Sequence, residues 1–147
     1  MIVADLPPEM QDRIVCSVIA SRAYDIPADI LLAIAEIEGG FPDQLVANKN
    51  GTYDVGYMQF NSAYLKSLSA KYNQNFTELV NQSGCYSFFL AAWRLKGHLT
   101  NDKGSIWQRA ANYHSKTEQF NLRYQKKLIN SAHQWAEWLR NYKGEQR

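Results

Sequence analysis

Long apolar runs are missing from this chain. No uninterrupted stretch approaches about 18 residues, which excludes a bilayer-spanning helix. Charge of one sign is missing too: Lys+Arg 16 against Asp+Glu 14 gives a formal net charge of +2, far short of a nucleic-acid footprint. Histidine is scarce, and His98, His114 and His133 share no ligand spacing with cysteines or acids, so no metal is expected. Neither a glycine-rich phosphate loop nor a nucleophile-elbow motif occurs, which removes nucleotide-binding and Ser-His-Asp chemistry from consideration. The only cysteines are Cys16 and Cys85, an even count that permits one bridge and cannot establish it. Closed, that bridge would tie the first helix to a later one and stabilise by about 4 kcal/mol in an oxidising compartment. Two small buried thiols are the alternative.

What is present is an ordinary globular composition in 147 residues, 46% hydrophobic and 20% charged, read as one domain over residues 1–147. Aromatic residues are plentiful at 13%. Trp135 and Trp138 share a helical stripe with Leu128, Ala132 and Leu139, which assigns them to packing rather than to ligand stacking. Pro7-Pro8 open a helix through about Tyr24, with Ile14, Val15, Val18 and Ile19 as its apolar face. Pro27 restarts the chain for a second helix, Ala28 to Glu38, which Gly39-Gly40 end. Asn50-Gly51 predicts a small hairpin, and Asn61-Ser62 cap a helix through about Tyr72. A short helical turn near Thr77–Val80 follows. Cys85–Leu99, apolar nearly all round, is expected to be the core helix. A short helix from Gly104 or Ser105 to Asn112 and a long one from Thr117 to about Tyr142 complete the pattern.

Two segments carry chemistry. Glu38 ends an apolar helical run and precedes two glycines, and the later segment Asp54-Val55-Gly56-Tyr57-Met58-Gln59-Phe60-Asn61 is too particular in composition for an ordinary turn. Glycoside cleavage needs a carboxylic acid still protonated near neutral pH. Burial against Ile37, Phe41, Tyr57, Met58 and Tyr113 would supply that, if the hairpin folds back over the helix end. Glu36 lies about 200 degrees around the helix from Glu38, so only one faces the cleft. The motif spacing favours Glu38.

These segments resemble the lytic transglycosylases of the lysozyme-like superfamily, the SLT type of glycoside hydrolase family 23. The resemblance runs from the Cys16 helix to about Tyr124. It implies an α+β, mainly α, lysozyme-like fold with a small β-hairpin beside the cleft, no cofactor, and a monomer acting on peptidoglycan strands. It implies Glu38 as acid then base, Tyr113 as the phenol that holds the Glu38 carboxyl, and Gly56, Tyr57, Met58, Gln59 and Asn61 as substrate-binding residues. Gly56 would let the backbone pass close to sugar, Met58 would floor a subsite, and Gln59 would bond an N-acetyl or hydroxyl group. A disulfide between Cys16 and Cys85 is also implied. Gly39 stands where the family has serine, and His114 where it has asparagine.

The segments Asn112–Thr117 and Asn121–Tyr124 resemble the members encoded with type IV secretion and conjugation systems, whose machinery is then a possible partner. The opening residues show neither a basic stretch nor an apolar core. The expectation is a periplasmic enzyme whose signal peptide was removed ahead of this chain. Two other readings stay open: a muramidase using Asp54 to activate water, and a glycan-binding scaffold with weak activity.

Overall fold

The computed structural model describes residues 5–145, with side chains to residue 142; Met1–Ala4, read above as carrying no signal sequence, lie outside the described residues. Helices α1 (Pro8–Tyr24) and α2 (Ala28–Glu38) lead into strands β1 (Leu45–Ala47), β2 (Tyr53–Val55) and β3 (Phe60–Asn61). Helices α3 (Ser62–Tyr72), α4 (Phe76–Val80), α5 (Tyr86–Asn101), α6 (Ile106–Ala111) and α7 (Glu118–Glu145) follow. The fold is mainly helical with a small antiparallel sheet. Among the described residues, no helix is long and apolar enough to cross a membrane.

The most deeply buried helix is α2, not α5. Every residue from Ile30 to Ala35 is at most 2% exposed, because α1, α5 and α7 pack around it. An apolar helix buried on all sides needs no amphipathic stripe. The α5 helix, by contrast, buries Phe88, Ala91, Ala92 and Leu95 but leaves Tyr86 56% and Trp93 40% exposed. These two rings line an apolar groove of about 320 Å³ with Tyr72, Phe76 and Phe89.

The expected apolar face of α1 is corrected as well. Ile14 is buried, but Val15 and Ile19 are 44% and 46% exposed. The helix turns Cys16, Ser17, Ala20 and Ser21 inward instead. Small side chains let α1 lie close to α2 and α5, and the disulfide from Cys16 to Cys85 fixes that rotation. The bridge closes a separation of 69 residues. Its contribution is about 4 kcal/mol by loop-closure entropy.

The sheet has three strands where the sequence predicts a hairpin, in the order β1-β2-β3. Leu45 pairs with Val55 and Ala47 with Tyr53, while Asp54 faces Asn61 across the second pair. Gly51 adopts φ +85 in the β1–β2 turn, where a side chain would be strained. Asn61 ends β3 and caps α3, its Oδ1 accepting from Ala63 N at 2.9 Å.

Two glycines make opposite predictions. A methyl group on Gly40 would collide with the carbonyl oxygen of Gly56, whereas Gly97, inside α5, has nothing within 4 Å of that position. Gly40→Ala should cost more than about 2 kcal/mol in urea unfolding. Gly97→Ala should gain about 0.5–1 kcal/mol from helix propensity. Equal effects of the two substitutions would contradict the packing described.

Candidate active site

Glu38 is the last residue of α2, and the chain turns sharply after it. Gly39 adopts φ +60 and donates its N–H to Ala35 O at 3.0 Å, the usual glycine stop. Gly40 then runs against the β2–β3 loop, donating to Tyr57 O at 3.1 Å. Arg13 Nη2 donates to Gly40 O at 3.0 Å from the α1 side. The helix end is thus pinned to the loop and to α1, and the Glu38 side chain is half-buried.

Burial is the main reason that the Glu38 carboxyl is raised to about 7. A phenol hydrogen bond opposes the rise, the negative charge of Asp54 adds to it, and Arg94 and Lys127 oppose it. The phenol is that of Tyr124, whose Oη donates to Glu38 Oε1 at 3.2 Å.

Here the structure corrects the expectation for Tyr113. Its ring is buried, and its hydroxyl has no hydrogen-bond partner. The Tyr113 phenol lies in the electrostatic field of Glu38 without bonding to it. Tyr124 takes the role because it sits on the inward stripe of α7, four residues before the fully buried Leu128 and eight before Ala132. That spacing was the available signal. His114 stacks on the Tyr124 ring with centroids 4.6 Å apart and planes 4° from parallel. Burial, then Lys127 and Arg94, holds the His114 imidazole below its ordinary pKa and favours the neutral ring.

Four of the five residues expected to bind substrate lie on the β2–β3 loop against the end of α2 and Asn61 follows on β3, but several are committed to holding the loop. Gly56 adopts φ +70, and a methyl there would strike Val80 O; what approaches its backbone is α4, not a ligand. Tyr57 is 1% exposed, its ring packs on Phe88 at 5.0 Å, and its hydroxyl donates to Asp12 Oδ2 at 2.7 Å. It points toward α1 and lines no subsite. Met58 is also 1% exposed and belongs to the core. Gln59 adopts φ +51 and donates from Nε2 to Gly56 O at 2.9 Å, closing the turn on itself. Gln59 and Asn61 remain half-buried, and Asn61 Nδ2 donates to Thr52 Oγ1 at 3.0 Å.

The two other carboxylates separate cleanly. Glu36 is exposed and accepts from Trp135 Nε1 at 2.6 Å, on the far side of α2. Asp54 Oδ1 accepts from Asn48 Nδ2 at 3.2 Å, a bond within the hairpin, although its charge reaches Glu38. Trp135 packs against the core and Trp138 against Trp135, ring centroids 5.7 Å apart, in agreement with a packing role.

The model of the transglycosylase SLT domain matches residues 16–134, most of the chain, including Glu38, Tyr124 and the β2–β3 loop. The chain belongs to this family. Among its relatives is Protein IpgF of Shigella flexneri, 34% identical over 100 residues, covering 67% of this chain and 63% of that protein. Protein IpgF of Shigella sonnei matches with the same identity and coverage. The match therefore spans less than two thirds of the length of these relatives. The SLT assignment agrees with the mainly helical fold and its small sheet.

The raised carboxyl carries a stability cost whose pH window follows from its direction. Between the ordinary value of 4.5 and about 7, the native state holds a proton that the unfolded chain has released, so stability falls as pH rises. Above pH 7 the loss reaches about 2–3 kcal/mol, allowing for partial exposure. Glu38→Gln should therefore unfold at higher urea than wild type at pH 8 and at nearly the same urea at pH 4. A variant that is no more stable at pH 8 would show that the carboxyl is not desolvated.

Proposed function

We propose that the chain is a peptidoglycan lytic transglycosylase, cleaving the β-1,4 bond between N-acetylmuramic acid and N-acetylglucosamine. The observation that carries this reading is a half-buried carboxyl at the end of α2 with a pKa near neutrality. Such a group is divided between acid and base at neutral pH, and the reaction asks for both in turn. As the acid, Glu38 gives its proton to the glycosidic oxygen while the bond from that oxygen to C1 breaks. As the base, it takes the proton of the muramic acid C6 hydroxyl, whose oxygen attacks C1 and closes a 1,6-anhydro ring without water.

Tyr124 steadies the carboxylate between the two steps, and the nearby charge of Asp54 favours reprotonation. Gln59 on the loop and Asn61 at the end of β3, both partly open, contribute polar groups toward the glycan; Gly56, Tyr57 and Met58 fix the loop beside them. A hydrolytic muramidase differs only in the final nucleophile. Asp54 is the group it would use, and its bond to Asn48 supports a hairpin role instead. Family membership supports the substrate class. The disulfide fits an oxidising compartment, which supports action in the periplasm. The resemblance of residues 112–117 and 121–124 to members encoded with conjugation systems supports a task in opening the wall for a secretion or conjugation apparatus.

Digestion of purified peptidoglycan followed by mass spectrometry tests the reading. Wild type should release muropeptides one water lighter than reducing-end products, and Glu38→Gln should release them at least about 100-fold more slowly. Full-mass reducing ends would make the protein a hydrolase and shift attention to Asp54. Equal release by wild type and variant would remove Glu38 from the mechanism.

A further inference from the structure

Arg94 is held in an unusual way. Its guanidinium carbon lies 4.6 Å from the ring centroid of Tyr64 and 4.7 Å from that of Tyr113. Tyr64 belongs to α3, on the sheet side, and Tyr113 follows α6, so the arginine bridges two walls from its place on α5. Two aromatic rings attract the cation and hold it in place. They satisfy none of its five N–H donors through conventional acceptors. Among the described residues, no carboxylate or carbonyl accepts from Arg94 or pairs with it.

A partly buried arginine that served only the fold would be expected to find an acceptor, as Arg109 does in donating to Leu99 O at 2.6 Å. The nearby acids are engaged elsewhere. Asp102 receives His98, Asn112 and Lys116, and Glu38 bonds Tyr124. Arg94 nevertheless lies close enough to act electrostatically on Glu38. It also lines an open depression of about 750 Å³ with Tyr64, Trp93, Lys96, His98 and the already paired Asp102, large enough for a sugar and its substituent.

We propose that Arg94 is a carboxylate-binding residue of the cleft, recognising an anionic group carried by the glycan strand. The proposal rests on the glycan-cleaving function put forward above. A guanidinium fork whose N–H donors meet no acceptor among the described residues can take a carboxylate in two parallel hydrogen bonds. The carboxylate has two possible sources in peptidoglycan: the lactyl group of peptide-free muramic acid, or the stem peptide. A neutral N-acetylglucosamine polymer has neither.

Binding to the Glu38→Gln protein, which removes turnover, tests the proposal with three soluble probes. They are a neutral N-acetylglucosamine tetramer, a peptide-free peptidoglycan tetramer, and the same tetramer bearing stem peptides. The acidic fragments should bind about tenfold or more tighter than the neutral tetramer, and adding Arg94→Gln should abolish that preference. The acidic fragment that gains most identifies the source of the carboxylate. A purely structural Arg94 would lower all three affinities alike, and a preference that survives Arg94→Gln would place recognition elsewhere; either overturns the proposal. Should the double variant fail to fold, amidation of the fragment carboxylates decides instead: the preference is expected to vanish, and its persistence overturns the proposal. Failure of all three probes to bind would overturn the glycan reading itself, and this inference with it.

Discussion

The crossing of Gly40 over the β2–β3 loop is the constraint on which the rest of the site depends. A helix that ends in a carboxylate would ordinarily leave that group in water, where it titrates like any surface acid. Here Gly39 turns the chain, Gly40 lies against the backbone of Gly56 and Tyr57, and Arg13 bonds the Gly40 carbonyl from the α1 side. The loop itself cannot drift. Gly56 abuts Val80 of α4, Tyr57 is anchored on Asp12 of α1, and Met58 is sunk in the core. Packing that looks remote from chemistry therefore decides how much water reaches Glu38.

Electrostatics then refines what burial begins. Burial raises the carboxyl furthest, the Tyr124 phenol pulls it back by favouring the charged form, and Asp54 opposes Arg94 and Lys127. No single partner locks the group in one state, as a short ion pair would. A carboxyl balanced near neutrality suits a reaction that needs the same group to give a proton and then receive one. The neutral His114 ring against Tyr124 backs the phenol without adding a competing charge.

Much of this was legible in the chain. The bounds of α2, the glycine stop, the Asn61 cap and the turn at Gly51 are local matters of backbone chemistry, and they stand where propensity places them. The pairing of Cys16 with Cys85 came from family resemblance and is present. Features set by tertiary contact were not legible. Val15 and Ile19 look like a core face, yet the small residues of α1 win because close helix approach and the disulfide fix its rotation. Tyr57 and Met58 look like cleft residues because they lie beside Gln59, but the turn packs both inward, Tyr57 against Phe88 and Asp12 and Met58 into the core. Tyr113 and Tyr124 are both buried tyrosines next to the acid, and only the three-dimensional arrangement distinguishes which hydroxyl reaches Glu38. The Arg94 sandwich needs three separate elements and has no signature in the sequence.

The central claim is that one desolvated carboxyl, divided between its two forms at neutral pH, sits at the end of α2. Carbon-13 NMR titration of glutamate-labelled protein, with the Glu38 resonance assigned by its loss in Glu38→Gln, measures this directly. The account predicts a carboxyl midpoint near 7. A midpoint in the ordinary glutamate range, at about 4 to 5, would contradict it.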